Sequence, residues 1–206
     1  MKHLQTYINL SIFTFLFILA SHACLAAAPL RDSTQIRSAW YKKLSVSAQY
    51  QYFRTCHHSR FDGGYAFADY DASPHFSIGI GIGYDFCVLH PDNGYNLRNV
   101  KVLPVVADFR YIPFPKWTIS PFAMADLGYS TFLKYNQEDP AHLKNTIKMT
   151  DHGLYTFGGV GFLVKVSSKA AIYTTAGFTG MHMSFNNNDV NPRGLSNQFG
   201  VRVNLY

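Results

Sequence analysis

The sequence predicts an all-β fold, a single antiparallel transmembrane β-barrel of about eight strands over residues 29–206. Three observations predict it. Successive segments alternate apolar and polar residues with period two. The chain closes on such a segment, and it begins with an apolar leader suited to export.

The leader comes first. Lys2 is the only formally charged residue before Arg31, an apolar run extends from Ile8 to Ala20, and small residues continue to Ala28. This pattern reads as a secretory signal peptide over residues 1–28, too short to span a membrane with margin. Cleavage fits after Ala23 or within Ala26 to Ala28. Cys24 raises a lipoprotein reading, but Ser21 stands three positions before it, where a lipoprotein leader favours Leu. Pro29 to Trp40 reads as a short periplasmic lead-in.

The strands follow in order. Leu44, Val46, Ala48, Tyr50 and Tyr52 interleave with Ser45, Ser47, Gln49 and Gln51. Tyr65 to Tyr70 is a weaker candidate. In the cleanest segment, Phe76, Ile78, Ile80, Ile82, Tyr84 and Phe86 alternate with Ser77, Gly79, Gly81, Gly83 and Asp85. A small-residue inner face lets a narrow barrel close around its remaining bulky interior groups. Further strands fit Val100 to Ile112, Thr118 to Phe132, Gly153 to Val166, Ala170 to Phe185 and Leu195 to Tyr206. Pro104 and Pro121 fall inside two of them, and proline cannot donate to a ladder, so irregular pairing is expected there. Pro113 to Lys116 and Ser167 to Lys169 read as periplasmic turns. The stretches Val88 to Asn99, Leu133 to His152 and Asn186 to Gly194 read as longer extracellular loops.

In the last strand Phe199, Val201, Val203 and Leu205 share one face, and Gln198, Gly200, Arg202 and Asn204 share the other. One face suits lipid and the other a polar lumen. The segment resembles the carboxy-terminal assembly signal of bacterial outer-membrane barrels. That resemblance implies the bacterial outer membrane as location, with the barrel assembly machinery and outer-membrane lipid, including lipopolysaccharide, as partners. Composition agrees. Aromatic residues make up 16%, with 14 Tyr and 17 Phe, as interfacial girdles require. The net charge of +6 is scattered rather than blocked, and no nucleic-acid-binding motif accompanies it.

Most polar residues suit a packed lumen. Asp85, Asp108, Arg110, Asp126, Lys165 and Arg202 are expected to fill it by bonding to one another. An eight-stranded interior is about filled by side chains, which disfavours a pore. Cys56 and Cys87 can form a disulfide after export or remain separate thiols. Cys56, His57 and His58, with His75 and His90 elsewhere, match no zinc spacing, so no metal is expected.

One constellation suits catalysis. On the segment from Ala170, His182 and Ser184 share the more apolar face with Ile172, Ala176 and Phe178, which places them on the outer wall near the extracellular end. A serine hydroxyl is a weak nucleophile until a neighbouring base takes its proton, and histidine suits that task. Asn197, on the same face of the next strand, is expected to orient the imidazole. The dyad requires no cofactor.

His182-Met183-Ser184, then Asn191-Pro192-Arg193-Gly194-Leu195-Ser196-Asn197 and a final strand, resemble the outer-membrane lipid A 3-O-deacylase (acyloxyacyl hydrolase) family of small barrels. Ser120-Pro121-Phe122-Ala123-Met124-Ala125-Asp126-Leu127-Gly128-Tyr129 resembles its proline-aromatic strand, a pattern many small barrels share. The resemblance covers roughly the second half of the chain. It implies an eight-stranded barrel hydrolysing the ester-linked acyl chain at position 3 of lipid A, with Ser184 as nucleophile and His182 as general base. The chain departs from the family at Phe185, where an oxyanion-stabilising Asn is usual and where Asn186 or a backbone N–H can substitute. It also has uncharged Asn197 or Ser196 where a carboxylate is usual, while Asp189 falls on an expected loop. The alternative expectation is a non-catalytic outer-membrane barrel with a structural or surface-interaction role.

Overall fold

The computed structural model describes residues 43–56, 58–92, 95–138, 146–183 and 191–205. The expected leader with Cys24, the lead-in, and Ser184, Phe185, Asn186 and Asp189 lie outside these residues.

Eight antiparallel strands form one closed barrel. They are β1 (Leu44–Thr55), β2 (Arg60–Ser73), β3 (Phe76–Asp92), β4 (Tyr95–Tyr111), β5 (Ile119–Glu138), β6 (Thr146–Lys165), β7 (Ala170–Met183) and β8 (Arg193–Asn204). Each pairs with its neighbours in sequence, and β1 pairs with β8 from Ser45↔Asn204 to Thr55↔Gly194. The polarity is inverted relative to a water-soluble domain. Ile80 is 71% exposed and Leu195 68%, whereas Arg110 and Asp108 are buried at 1% and 0%. Only a lipid surround makes that arrangement favourable, because it covers the apolar wall and the closed ladder satisfies the backbone.

The weak candidate Tyr65 to Tyr70 is the centre of a full 14-residue strand, β2. Its alternation is real, but small residues on the outer face (Gly64, Ala66, Ala68) mute the hydropathy contrast. Two expected loops are corrected more substantially. β3 runs on to Asp92 and β4 begins at Tyr95, while β5 reaches Glu138 and β6 starts at Thr146. β2 stops pairing with β3 at Asp62↔Phe86 and β7 stops pairing with β6 at Gly153↔Met183. Beyond the closed barrel, β3 to β6 therefore continue as a four-stranded sheet on the extracellular side. Inward apolar and aromatic groups hold it: Leu97, Val100, Phe132 and Tyr135 are buried, and Tyr135 donates to Asp151 at 2.7 Å.

Proline leaves the expected marks. The β3–β4 register skips from Ile82↔Val105 to Asp85↔Val102, so Pro104 falls in a gap on its β3 side. Pro121 lies past Ala123, the last β5 residue paired with β4, and keeps only its β6 partner, Phe162.

The lumen is a packed core. The Arg110 Nε donates to Asp108 at 2.7 Å and its Nη2 donates to Ser47 at 3.0 Å. Its guanidinium lies between the rings of Phe67 and Tyr173, at 5.3 and 5.0 Å. Arg202 donates to Ser45 and Ser77 and reaches Asp71. Gln51 accepts from Tyr155 and Gln198, and Gln49 accepts from Tyr173. The glycines of β3 make room for two of the rings. A Cβ at Gly81 would sit 2.4 Å from the Phe67 ring, and one at Gly83 2.3 Å from the Tyr65 ring. Of the six charged residues expected in the lumen, five are buried. Lys165 is instead exposed at the periplasmic mouth, where it donates to the carbonyl of Pro115. The chain leaves the lumen there, so water replaces the interior partners.

Cys87 is buried and Cys56 is exposed, each as a free thiol. The short turns at Pro74–His75, 112–118 and 166–169 lie at one end, the periplasmic one by the rule that outer-membrane barrels keep their short turns there. Two expected outcomes follow from this packing and orientation. Arg110→Ala leaves Asp108 as an uncompensated buried charge and should destabilise the barrel by about 3–5 kcal/mol, read by urea-dependent folding into lipid vesicles. A membrane-impermeant maleimide should label Cys56 on intact cells, with the signal lost in Cys56→Ser and kept in Cys87→Ser. Labelling only after permeabilisation would invert the orientation.

Candidate active site on the outer wall

β7 alternates strictly enough to assign each side chain a face. Ala171, Tyr173, Thr175, Thr179, Met181 and Met183 point inward, while Ile172, Thr174, Ala176, Phe178 and His182 point outward. His182 thus lies on the lipid-facing wall, one residue from the last residue of the strand. Ser184, its sequence neighbour in the expected dyad, lies outside the described residues.

The register then decides what His182 meets. On one side it pairs with Leu154 of β6. On the other, Gly180 pairs with Arg193 and the Met181 amide donates to the Pro192 carbonyl at 2.9 Å. That register carries Asn191 alongside His182, and the Asn191 Oδ1 lies 2.6 Å from the imidazole Nδ1. A carbonyl oxygen can only accept, so this contact holds the proton on Nδ1 and leaves Nε2 as the basic nitrogen.

Asn197 is on the outward face, but its partner on β7 is Ala176. Six residues of strand separate Ala176 from His182, about 20 Å at the rise of a β-strand. The structure does not bring Asn197 to the imidazole. Asn191, rather than Asn197, contacts the imidazole. Ser196, the other uncharged candidate, is buried on the lumen side.

A second histidine stands nearby. His152 pairs with Thr131, is two residues before Leu154 on the same face of β6, and contacts the Tyr129 hydroxyl through its Nδ1. The remaining histidines disperse. His75 sits in the periplasmic β2–β3 turn, and His90 is buried on the inner face of β3 beyond its pairing with β2, its Nδ1 2.9 Å from the Ser59 hydroxyl. Among the described residues no group of three or more His, Cys, Asp or Glu is placed to hold a metal ion.

An apolar outer wall, a polar filled lumen and full closure of eight strands define a transmembrane β-barrel of the bacterial outer-membrane type. Solved structures share that fold. A major outer membrane protein from Thermus thermophilus is 11% identical with a TM-score of 0.51, over 78% of this chain and 98% of that one. The outer membrane protein OprG from Pseudomonas aeruginosa is 12% identical with a TM-score of 0.50, over 78% and 95%. No protein-family model matches the sequence, and no curated protein matches it.

Proposed function

We propose that this barrel is an outer-membrane ester hydrolase acting on lipid A, removing the acyl chain ester-linked at position 3. The observation that carries the reading is the 2.6 Å contact between His182 Nδ1 and Asn191 Oδ1 on the lipid-facing wall. A histidine oriented by an amide oxygen is the general-base arrangement of an acyl-transfer site. Its position on the outer wall gives it access to acyl chains that never enter the lumen.

The chemistry is that of an acyl-enzyme. The Ser184 hydroxyl attacks the ester carbonyl while His182 Nε2 takes its proton. The tetrahedral intermediate expels the sugar oxygen, which regains a proton from His182. Water, deprotonated by the same nitrogen, then releases the fatty acid from Ser184. Asn191 stabilises the imidazolium formed in each half-reaction, and no cofactor enters.

A second reading is a non-catalytic barrel that presents a surface to a partner. It is favoured by the length of β5 and β6, 20 residues each, when about 9–11 suffice to cross a membrane. The projecting sheet is a large structured surface that hydrolysis at His182 does not require.

Mass spectrometry of lipid A from expressing cells separates the two. Loss of one hydroxyacyl chain is expected with the wild type, but not with Ser184→Ala or His182→Ala at matched outer-membrane levels. Removing the general base should slow turnover by ~10²–10⁴-fold. Unchanged lipid A with all three proteins would sink the hydrolase reading and leave the surface reading. The orienting roles divide cleanly: Asn191→Ala should lower deacylation while Asn197→Ala leaves it intact. The reverse result would restore the assignment made from sequence.

A further inference from the structure

We infer that Arg54 and Arg193, with Arg60 beside them, form a phosphate-binding site on the outer wall for a phosphorylated glycolipid of the outer leaflet. Arg54 on β1 pairs directly with Arg60 on β2. Its other cross-strand partner is Leu195 on β8, and the Cys56 amide donates to the Arg193 carbonyl at 2.9 Å. Arg193 is therefore the diagonal neighbour of Arg54. Directly opposed side chains on one face have Cβ atoms about 5 Å apart, and diagonal ones are spaced at about 7–8 Å. All three arginines are exposed and point outward from adjoining strands near the extracellular end.

Like charges in directly opposed positions repel, and cationic groups on the outer wall of a barrel are costly unless they lie at the headgroup level. Only one of the three charges is answered by protein among the described residues. Asp62 accepts from Arg60 at 2.6 and 2.8 Å. No described carboxylate contacts Arg54 or Arg193. Their surroundings fix the depth. Arg60 stacks over the Tyr52 ring at 5.1 Å, and Leu195, directly opposite Arg54, and its β7 partner Phe178 are open to lipid. The site therefore lies where acyl chains give way to charged headgroups. Planar guanidiniums in this spacing match the oxygens of a phosphate, which accepts bidentate bonds from each.

The site adjoins the proposed catalytic histidine. Arg193 pairs with Gly180, two residues before His182 on the same face. An anchored phosphate would hold a lipid A molecule with its acyl esters beside the imidazole. That last step rests on the proposed hydrolase function; the binding site itself does not.

The test uses the full barrel folded in zwitterionic detergent micelles, with diphosphoryl lipid A and its dephosphorylated form as probes. Native mass spectrometry reads the bound lipid. The diphosphoryl form should bind roughly tenfold more tightly or better. Arg54→Gln and Arg193→Gln should each reduce that preference, and the double variant should abolish it, with folding verified by heat-dependent gel mobility. His182→Ala should retain the preference, so failure of catalysis and failure of binding are told apart. Equal binding of the two lipids, or a preference surviving in the folded double variant, would overturn the site. Displacement of lipid by equimolar inorganic phosphate would overturn the lipid as its occupant in favour of the free ion.

Discussion

Every feature of this molecule depends on the pairing of β1 with β8. In hydrocarbon an unpaired strand edge leaves a row of amides and carbonyls without partners, each costing several kcal/mol. The ladder from Ser45↔Asn204 to Thr55↔Gly194 removes that edge. It also fixes the lumen, because it sets Gln51 opposite Gln198, whose side-chain amide donates to the Gln51 carbonyl at 2.9 Å. On the outside the same ladder sets Arg54 beside the strand that bears Arg193. Closure thus determines both the interior network and the exterior surface where these cationic side chains converge.

Filling the interior is the second constraint, and it accounts for the sequence of β3. A barrel of eight strands has room for side chains but little more. Arg110, Tyr155, Tyr173, Phe53 and Phe61 are all fully buried. Bulk on one strand requires its absence at the paired position of the next, so the Phe67 ring packs where Gly81 has no side chain, and Tyr65 where Gly83 has none. Polar atoms in this space need partners as much as volume. Arg110 meets that need at Nε and Nη2, which donate to Asp108 and Ser47, while its Nη1 lies 3.7 Å from Asp69 and the guanidinium sits between two aromatic faces. Side chains fill this lumen, whereas His182 and the outward arginines of β1, β2 and β8 lie on the wall outside it.

Much of the fold is legible in the sequence because period two reports faces directly. The inward glycines of β3, the outward Phe199, Val201 and Val203 of β8, and the outward placement of His182 all follow from alternation. Register is not legible from the same signal. Sliding β8 past β7 by an even number of residues leaves every side chain on its own face. Alternation therefore assigns Asn197 the right wall and the wrong neighbour, with Ala176 where His182 is expected. The projecting sheet escapes the sequence reading for a different reason. Charged and amide residues in Val88 to Asn99 and Leu133 to His152 have the composition of loops, and they mask the alternation beneath. β3 and β4 leave only Asn93 and Gly94 between them, and Asn-Gly is the pair favoured in two-residue hairpins, so a signal is present.

The location of His182 gives the outer wall its meaning. His182 on β7 and Asn191, just before β8, contact each other on the outer wall and neither fills the lumen nor adds apolar surface. Polar side chains at such a position are tolerated where headgroups and water lie close by. The neighbouring arginines have the same logic. Their mutual repulsion is a cost that no described acidic partner of Arg54 or Arg193 offsets, whereas a phosphorylated lipid would offset it. Histidine and arginine surfaces adjoin because Gly180 pairs with Arg193. Under the proposed hydrolase function, one lipid molecule would meet a charge anchor and a general base on adjoining strands, with its acyl chains still in the membrane. Such a geometry would remove the need to extract a lipid substrate from the bilayer, a step whose cost grows by about 0.8 kcal/mol for every methylene exposed to water.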